Sequence, residues 1–319
     1  SPATLELFRQ HAYNFVTDTR VEYSVDDTTQ EVTTTFHITT EAKESGGTLS
    51  PLPLVALYRH QWLHLADSPT TTSTGLDYNT TRGEMRLYIA NSFSTQMQFG
   101  GVIPALPDLA IDDLDGYSDA QLQAYISDIY DPTGDYTHPD FTRETYWDGK
   151  NYNRIAQLVH LADQQGMITE RDSFLTYLKR ELENWFDGQA PFLFYLDNNW
   201  NVLQGYPSGF GADSQINDHN FHWGYFVMTA AIIAKYDPAW AANYEGSVEL
   251  LVRDAANWDR TDSRFPYLRH FDPYAGHSWA AGHQAFGAGN NQESSSEAMN
   301  FAAGMILWGE AVGNEAMRD

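Results

Sequence analysis

The feature that most constrains the fold is a change of hydrophobic period partway along the chain. Across residues 20–105 apolar side chains recur at every second position, which places them on one face of a strand. In RVEYSV, Val21, Tyr23 and Val25 share a face, and in EVTTTFHITT, Val32, Thr34, Phe36 and Ile38 do the same. The polar DDTTQ between them reads as a hairpin turn. LPLVALYRHQWLHL and EMRLYIANSF continue the alternation, which the Thr/Ser-rich stretch 68–81 interrupts. From Thr145 the period becomes helical. NYNRIAQLVHLADQQG aligns Tyr152, Ile155, Ala156, Val159 and Ala162 in one stripe, ended by Gly166. TERDSFLTYLKRELENWF opens on Thr169 with Asp172 three residues on, a pattern like a capping box. FHWGYFVMTAAIIAKY, AWAANYEGSVELLVRDAANW and QESSSEAMNFAAGMILWGEA read as further helices.

These two periods predict a multidomain β + α chain. Residues 1–105 form the β region, the Asp-, Gly- and Pro-rich residues 106–140 connect, with one short helix, and residues 141–319 form helical hairpins, as a bundle or an α/α barrel. One segment breaks the helical rhythm. From Asp259 to Asn290 the chain is rich in Gly, His, Pro and aromatic residues, and a connection of that length inside a compact domain is commonly functional. An apolar helix ending near Asp319 leaves a partner side uncovered, so the sequence reads as a fragment.

Composition narrows the ligand. With 43 acidic and 18 basic residues the formal charge is −25, which repels nucleic acid and anionic membrane surfaces. The cationic side holds 14 Arg and only 4 Lys, and a carboxylate-rich, Lys-poor surface suits concentrated salt. Cysteine is absent, which removes disulfides, thiol nucleophiles and thiolate metal sites. No apolar run approaches the ~18 residues of a membrane span, and SPATLELFRQ is not a signal peptide. The 9 Trp, 19 Tyr and 17 Phe favour a partner with flat faces. A neutral polysaccharide meets both conditions.

Two stretches concentrate polar groups beside aromatic ones. SGFGADSQINDHNFHWGYF holds Asp213, Asp218, His219 and His222 just before an apolar helix. NNQESSSEAMNF holds Glu293 and Glu297, four apart and therefore neighbours on one helical face shared with Phe301 and Trp308. Carboxylates pressed toward an apolar interior have raised pKa values, the condition for acid catalysis near neutral pH. Each residue also has a plainer role. Asp218 suits an N-cap, Glu293 the far half of a cap set by Asn290, and Glu297 a buried, satisfied carboxylate. His219 and His222, with His277 and His283 downstream, approximate metal-ligand spacing, but HxxH without a third ligand is a weak signal. Trp279, in the Gly-rich loop, is the best candidate for a stacking platform. Paired carboxylates with stacking aromatics and no cofactor motif point to glycoside cleavage, with one carboxyl as acid and the other as base or nucleophile.

At these residues the chain resembles glycoside hydrolase family 81, the endo-β-1,3-glucanases. The resemblance is carried by GYPSGFGADSQINDHNFHWGYF, DRTDSRFPYLRHFDPYAGHSWAAG and NNQESSSEAMNFAAGMILWGEAVGN. Weaker matches are LYRHQW, GEMRLYIANSFSTQMQFGGVIPALPD and YWDGKNYNRIAQLVHLAD, so it runs from about residue 52 to the end. It implies a β-sandwich, a small connecting domain and an (α/α)6 barrel, here incomplete. It also implies inverting hydrolysis of internal β-1,3-glucosidic bonds. Asp218 falls on the family's general acid. Glu293 is favoured as general base with Glu297 the adjacent essential carboxylate, though the two roles could be exchanged. His222 falls on an active-site histidine, and Tyr225, His277, Trp279 and Asp213 on substrate-binding positions. Asn220 and Trp223 stand where the family more often carries His and Tyr. The implied partner is β-1,3-glucan, with no cofactor or metal, for a monomeric, extracellular enzyme. The alternative is a non-catalytic β-glucan-binding protein.

Overall fold

The computed structural model describes residues 1–43, 50–107, 118–281, 287 and 289–319. It divides into two units, Ser1–Gly101 with Pro273–Gly276, and Val102–Asp272 with His277–Asp319.

The first unit carries the strand-period sequence. Helix α1 (Pro2–His11) leads into β1 (Asn14–Asp26) and β2 (Glu31–Ala42). These pair antiparallel with Val21 opposite Phe36 and Val25 opposite Val32. The Asp26 carboxylate closes their turn by accepting the N–H groups of Thr28 and Thr29. β3 (Leu54–Leu57), α2 (Arg59–Trp62), β4 (Thr72–Thr80), β5 (Gly83–Ile89) and β6 (Ser92–Gln98) follow. They complete two three-stranded sheets, β1-β2-β6 and β3-β5-β4. Both sheets feed one core of Phe36, Val55, Leu57, Ala90 and Phe93. Tyr274, from the distant Pro273–Gly276 segment, sets its ring edge-on to Phe36 and Phe93 and donates to the Ala56 carbonyl. The Thr/Ser-rich stretch expected to interrupt the strands instead contains β4. Threonine is β-branched and stiff at χ1, and it suits a strand whose outer face meets water.

The second unit is helical around small antiparallel ladders. Its elements are α3 (Asp119–Ile129), α4 (Thr145–Gln164), α5 (Ile168–Phe186), β7 (Leu193–Asp197), β8 (Val202–Tyr206), α6 (Ala212–Gln215), α7 (His219–Tyr236), α8 (Pro238–Ala256), β9 (Phe271–Asp272), β10 (His277–Ser278), α9 (Ser295–Val312) and α10 (Glu315–Arg318). Helix α7 is buried on every side from His219 to Ala234, as its almost uninterrupted apolar composition requires. It packs against α4, α8 and α9. Glycine permits the α7–α9 approach, since a Cβ on Gly224 would stand 2.9 Å from the Phe301 Cβ and one on Gly304 2.9 Å from the Met228 nitrogen. The α9 stripe faces inward as expected, with Phe301, Gly304 and Trp308 buried.

Two local expectations differ from the structure. Helix α5 starts at Ile168, ahead of Thr169, so Thr169 lies in the first turn and caps nothing. A β7–β8 hairpin interrupts the helical region, its turn held by the Asp197 carboxylate accepting from Asn199 and Trp200.

Candidate active site

Asp218 occupies the N-cap position of α7, yet its side chain accepts no bond from the first helical turn. Its backbone is pinned in a left-handed conformation, φ 61°. The Asp218 N–H donates to the Ala280 carbonyl at 2.6 Å, and its own carbonyl accepts from Phe221 and His222 at 2.9 Å each. The carboxyl is thereby turned away from the helix and into the unit, where Asp218 is 7% exposed. Asn217 Nδ2 donates to Oδ2 at 2.9 Å. Among the described residues Oδ1 has no partner. Burial pushes the Asp218 carboxyl up to about 7, and the negative charges of Glu293 and Glu297 push in the same direction. The capping role that the sequence left open for Asp218 is therefore not taken up by its side chain.

The two glutamates reach this carboxyl from the start of α9. Ala280, which accepts from Asp218, itself donates to the Asn291 carbonyl at 2.7 Å, and Asn290 Nδ2 donates to the Ala281 carbonyl at 2.8 Å. These bonds tie the 290–293 segment beside the Asp218 turn. The expectation that Glu293 and Glu297 share a helical face and press on an apolar interior is corrected here. Helix α9 begins at Ser295 with Ser294 as its cap, so Glu293 precedes the helix. Glu293 adopts a left-handed backbone, φ 60°, and is exposed, with Asn291 Nδ2 donating to its Oε2 at 3.1 Å. Glu297 lies in the first turn, half-buried, and Tyr225 donates its hydroxyl to Glu297 Oε1 at 2.6 Å. Burial and that bond hold the Tyr225 phenol well above its ordinary value, so it remains a donor.

His222 is 1% exposed, and its Nδ1 lies 2.8 Å from the Thr145 hydroxyl. Burial first, and His219 second, lower its pKa to about 3, so the ring is neutral. His219 is engaged differently, with Nδ1 2.7 Å from Asp254 Oδ2 and Nε2 3.0 Å from the Ala212 carbonyl. Each imidazole of the HxxH pair thus has its own protein partner, and His283 lies outside the described residues. His277 and Trp279 stand edge to face with ring centroids 4.5 Å apart, directly before Ala280. Asp213 is exposed, and its carboxylate accepts from the Ser214 N–H at 2.7 Å within its own turn. Its described contacts reach neither Asp218 nor the glutamates.

Two aromatic residues that sequence reasoning did not single out, Tyr146 and Phe210, lie against His222. The Tyr146 ring lies 5.2 Å from His222, 5.9 Å from Tyr225 and 4.9 Å from Phe210. Phe210 is 63% exposed although large and apolar, and it holds a left-handed φ of 52°. The resemblance segment GYPSGFGADSQ did include Phe210, and that was the available signal.

The arrangement can donate a proton from Asp218 and accept one at Glu293 or Glu297, with the Tyr146 ring against Tyr225 and His222. Residues 120–319 match the glycosyl hydrolase family 81 C-terminal domain. The chain is 44% identical to a glucan endo-1,3-beta-D-glucosidase of Acetivibrio thermocellus, over 99% of this chain and 40% of that protein. It is 42% identical to the protein of the same name from Thermobifida fusca, over 100% of this chain and 41% of the relative. A solved structure of a mutant glycoside hydrolase family 81 protein from Clostridium thermocellum superposes with a TM-score of 0.86 at 42% identity, covering 100% of this chain and 43% of the other. The chain spans about two fifths of the length of these relatives. Its site, its sequence and its β-plus-helical fold make it a member of glycoside hydrolase family 81.

Proposed function

We propose that this chain hydrolyses internal β-1,3-glucosidic bonds of a laminarin-type glucan by single displacement. One observation carries the reading: Asp218 is a buried carboxyl whose pKa is pushed up to about 7, by burial and by two glutamates. A carboxyl in that condition is a proton donor at neutral pH. Asp218 donates its proton to the glycosidic oxygen as the bond to the anomeric carbon breaks. Glu293, as carboxylate, takes a proton from a water whose oxygen attacks that carbon from the opposite face. Its exposure gives that water access. Glu297, fixed by Tyr225, sustains the negative charge that keeps Asp218 protonated. The exchanged assignment makes Glu297 the base. Inversion calls for acid and base carboxyls roughly 6.5–9.5 Å apart. Phe210, Tyr146 and Trp279 supply faces for glucosyl rings, with His277 beside Trp279.

The names of the relatives support the substrate class. The proposed architecture is a β-sandwich followed by an (α/α)6-type barrel, with 1–105, 106–140 and 141–319 as its regions. The enzyme acts as an extracellular monomer adapted to salt, and among the described residues no helix is long and apolar enough to cross a membrane.

Proton NMR of laminarin digestion tests the reading. The expected result is rapid shortening of the polymer with the α-anomer appearing first. Initial β-anomer would refute inversion. Retention of the polymer without new reducing ends would favour the glucan-binding alternative.

A further inference from the structure

A second carboxylate governs the turn that carries Asp218. Asp254, near the end of α8, is fully buried. Its Oδ2 receives Trp223 Nε1 at 2.7 Å and Arg269 Nη2 at 2.7 Å, and lies 2.7 Å from His219 Nδ1. Its Oδ1 receives the Leu203 N–H at 2.9 Å, and its backbone carbonyl receives Arg269 Nε at 2.9 Å. From this hub two arms reach the Asp218 turn. His219 Nε2 donates to the Ala212 carbonyl at 3.0 Å, and Arg269 Nη1 donates to the Ile216 carbonyl at 3.5 Å.

The clamped turn is strained. Ile216 and Asp218 both have left-handed backbones, φ 51° and 61°. That region is unfavourable for a β-branched residue and persists only where the surroundings hold it. The hub grips the turn at residues 212, 216 and 219, on both sides of the strain.

We propose that Asp254, with Arg269, His219 and Trp223, forms a positioning clamp that holds Asp218 in its left-handed conformation with its carboxyl turned into the protein. None of the four needs to touch the glucan. Their relevance to catalysis rests on the hydrolase reading, whereas the clamp itself does not. Among the described residues the charged groups facing the Asp218 carboxyl are Glu293 and Glu297, and both lie outside the clamp. Loosening the clamp therefore acts on the burial of Asp218. With the turn relaxed, its carboxyl gains water and titrates at lower pH.

The test is a ¹³C-NMR titration of the Asp218 carboxyl, assigned by Asp218→Asn, in the wild-type chain and three variants. Asp254→Asn removes the charge and turns one acceptor oxygen into a donor. Trp223→Phe removes one donor, keeps every charge and leaves a smaller ring in the same place, with folding checked by circular dichroism. Leu178→Ala, in the core of the same unit, is a control for plain loss of stability. The clamp predicts that the Asp218 midpoint falls by more than one pH unit in Asp254→Asn and by a smaller, measurable amount in Trp223→Phe. It stays at the wild-type value in Leu178→Ala, even though the melting temperature drops. A Trp223→Phe protein whose Asp218 titrates as in wild type overturns the clamp, as does an equal shift in Leu178→Ala. On laminarin, the high-pH fall of kcat shifts with the midpoint while KM changes little. If the variants show these shifts but the wild-type chain cleaves no glucan, the hydrolase reading is contradicted and the clamp stands.

Discussion

Asp218 and Asp254 are both buried carboxylates of the helical unit, and they sit at opposite electrostatic extremes. Desolvation raises both. Around Asp254 that cost is more than offset by the Arg269 guanidinium, His219 and the Trp223 donor, which hold its carboxyl well below the usual range. Around Asp218 it is reinforced. No cation faces it among the described residues, a single Asn217 amide donates to it, and two glutamates add like charge. Asp148 lies between, buried and raised to about 6, with Arg143 and the donors Tyr152 and Trp185 opposing its desolvation. The series separates burial from its electrostatic compensation: compensated burial leaves Asp254 low, uncompensated burial leaves Asp218 high.

The largest break in the comparison is Asp218→Asn, which keeps shape and removes the transferable proton. Turnover on laminarin is expected to fall roughly 10²–10⁴-fold with KM nearly unchanged, and ordinary turnover would refute the acid role. Next come the glutamates. If Glu293 is the base, Glu293→Gln is expected to cost roughly 10²–10⁴-fold in kcat. The exchanged assignment is read from Glu297→Gln, which loses that much only if Glu297 is the base. The pH dependence sharpens the contrast further. Asp218 must be protonated to act, so kcat falls as pH rises through about 7. Neutralising Glu297 withdraws a charge that raises Asp218, so the fall in kcat of Glu297→Gln begins at lower pH.

Two smaller effects follow. Tyr225→Phe deletes the 2.6 Å bond to Glu297. A bond to a charged group contributes about 1.5–3 kcal/mol, so kcat/KM is expected to drop by roughly ten- to a hundredfold, with the fold intact by circular dichroism. Phe210→Ala removes an exposed ring, and a stacking loss of about 0.5–1.5 kcal/mol raises KM severalfold with little change in kcat. An unchanged KM would remove Phe210 from the glucan path.

The local chemistry of the site was legible in the sequence where it depends on neighbours. Asp218 before an apolar helix and the glutamates near a helix start are both visible in short windows, as are the β1–β2 hairpin and the inward stripe of α9. What was not legible depends on backbone conformation or on distant partners. Nothing in QESSSE tells that Ser294, rather than an earlier residue, caps α9 and leaves Glu293 outside it. Asp254 looks like an ordinary polar residue in ELLVRDAANW, and its meaning comes from Arg269 and His219, which the fold brings to it. HxxH suggested a shared ligand, but the two rings take separate partners, Thr145 and Asp254. The Thr-rich β4 was obscured because composition typical of a loop also suits an exposed strand.

The most direct test of the contrast is a ¹³C-NMR titration that follows the Asp218 and Asp254 carboxyl carbons together in the wild-type chain. The account predicts that Asp218 titrates with a midpoint near 7, while Asp254 stays ionised throughout the range in which the protein remains folded. An Asp218 midpoint near the ordinary aspartate value of about 4 would contradict it.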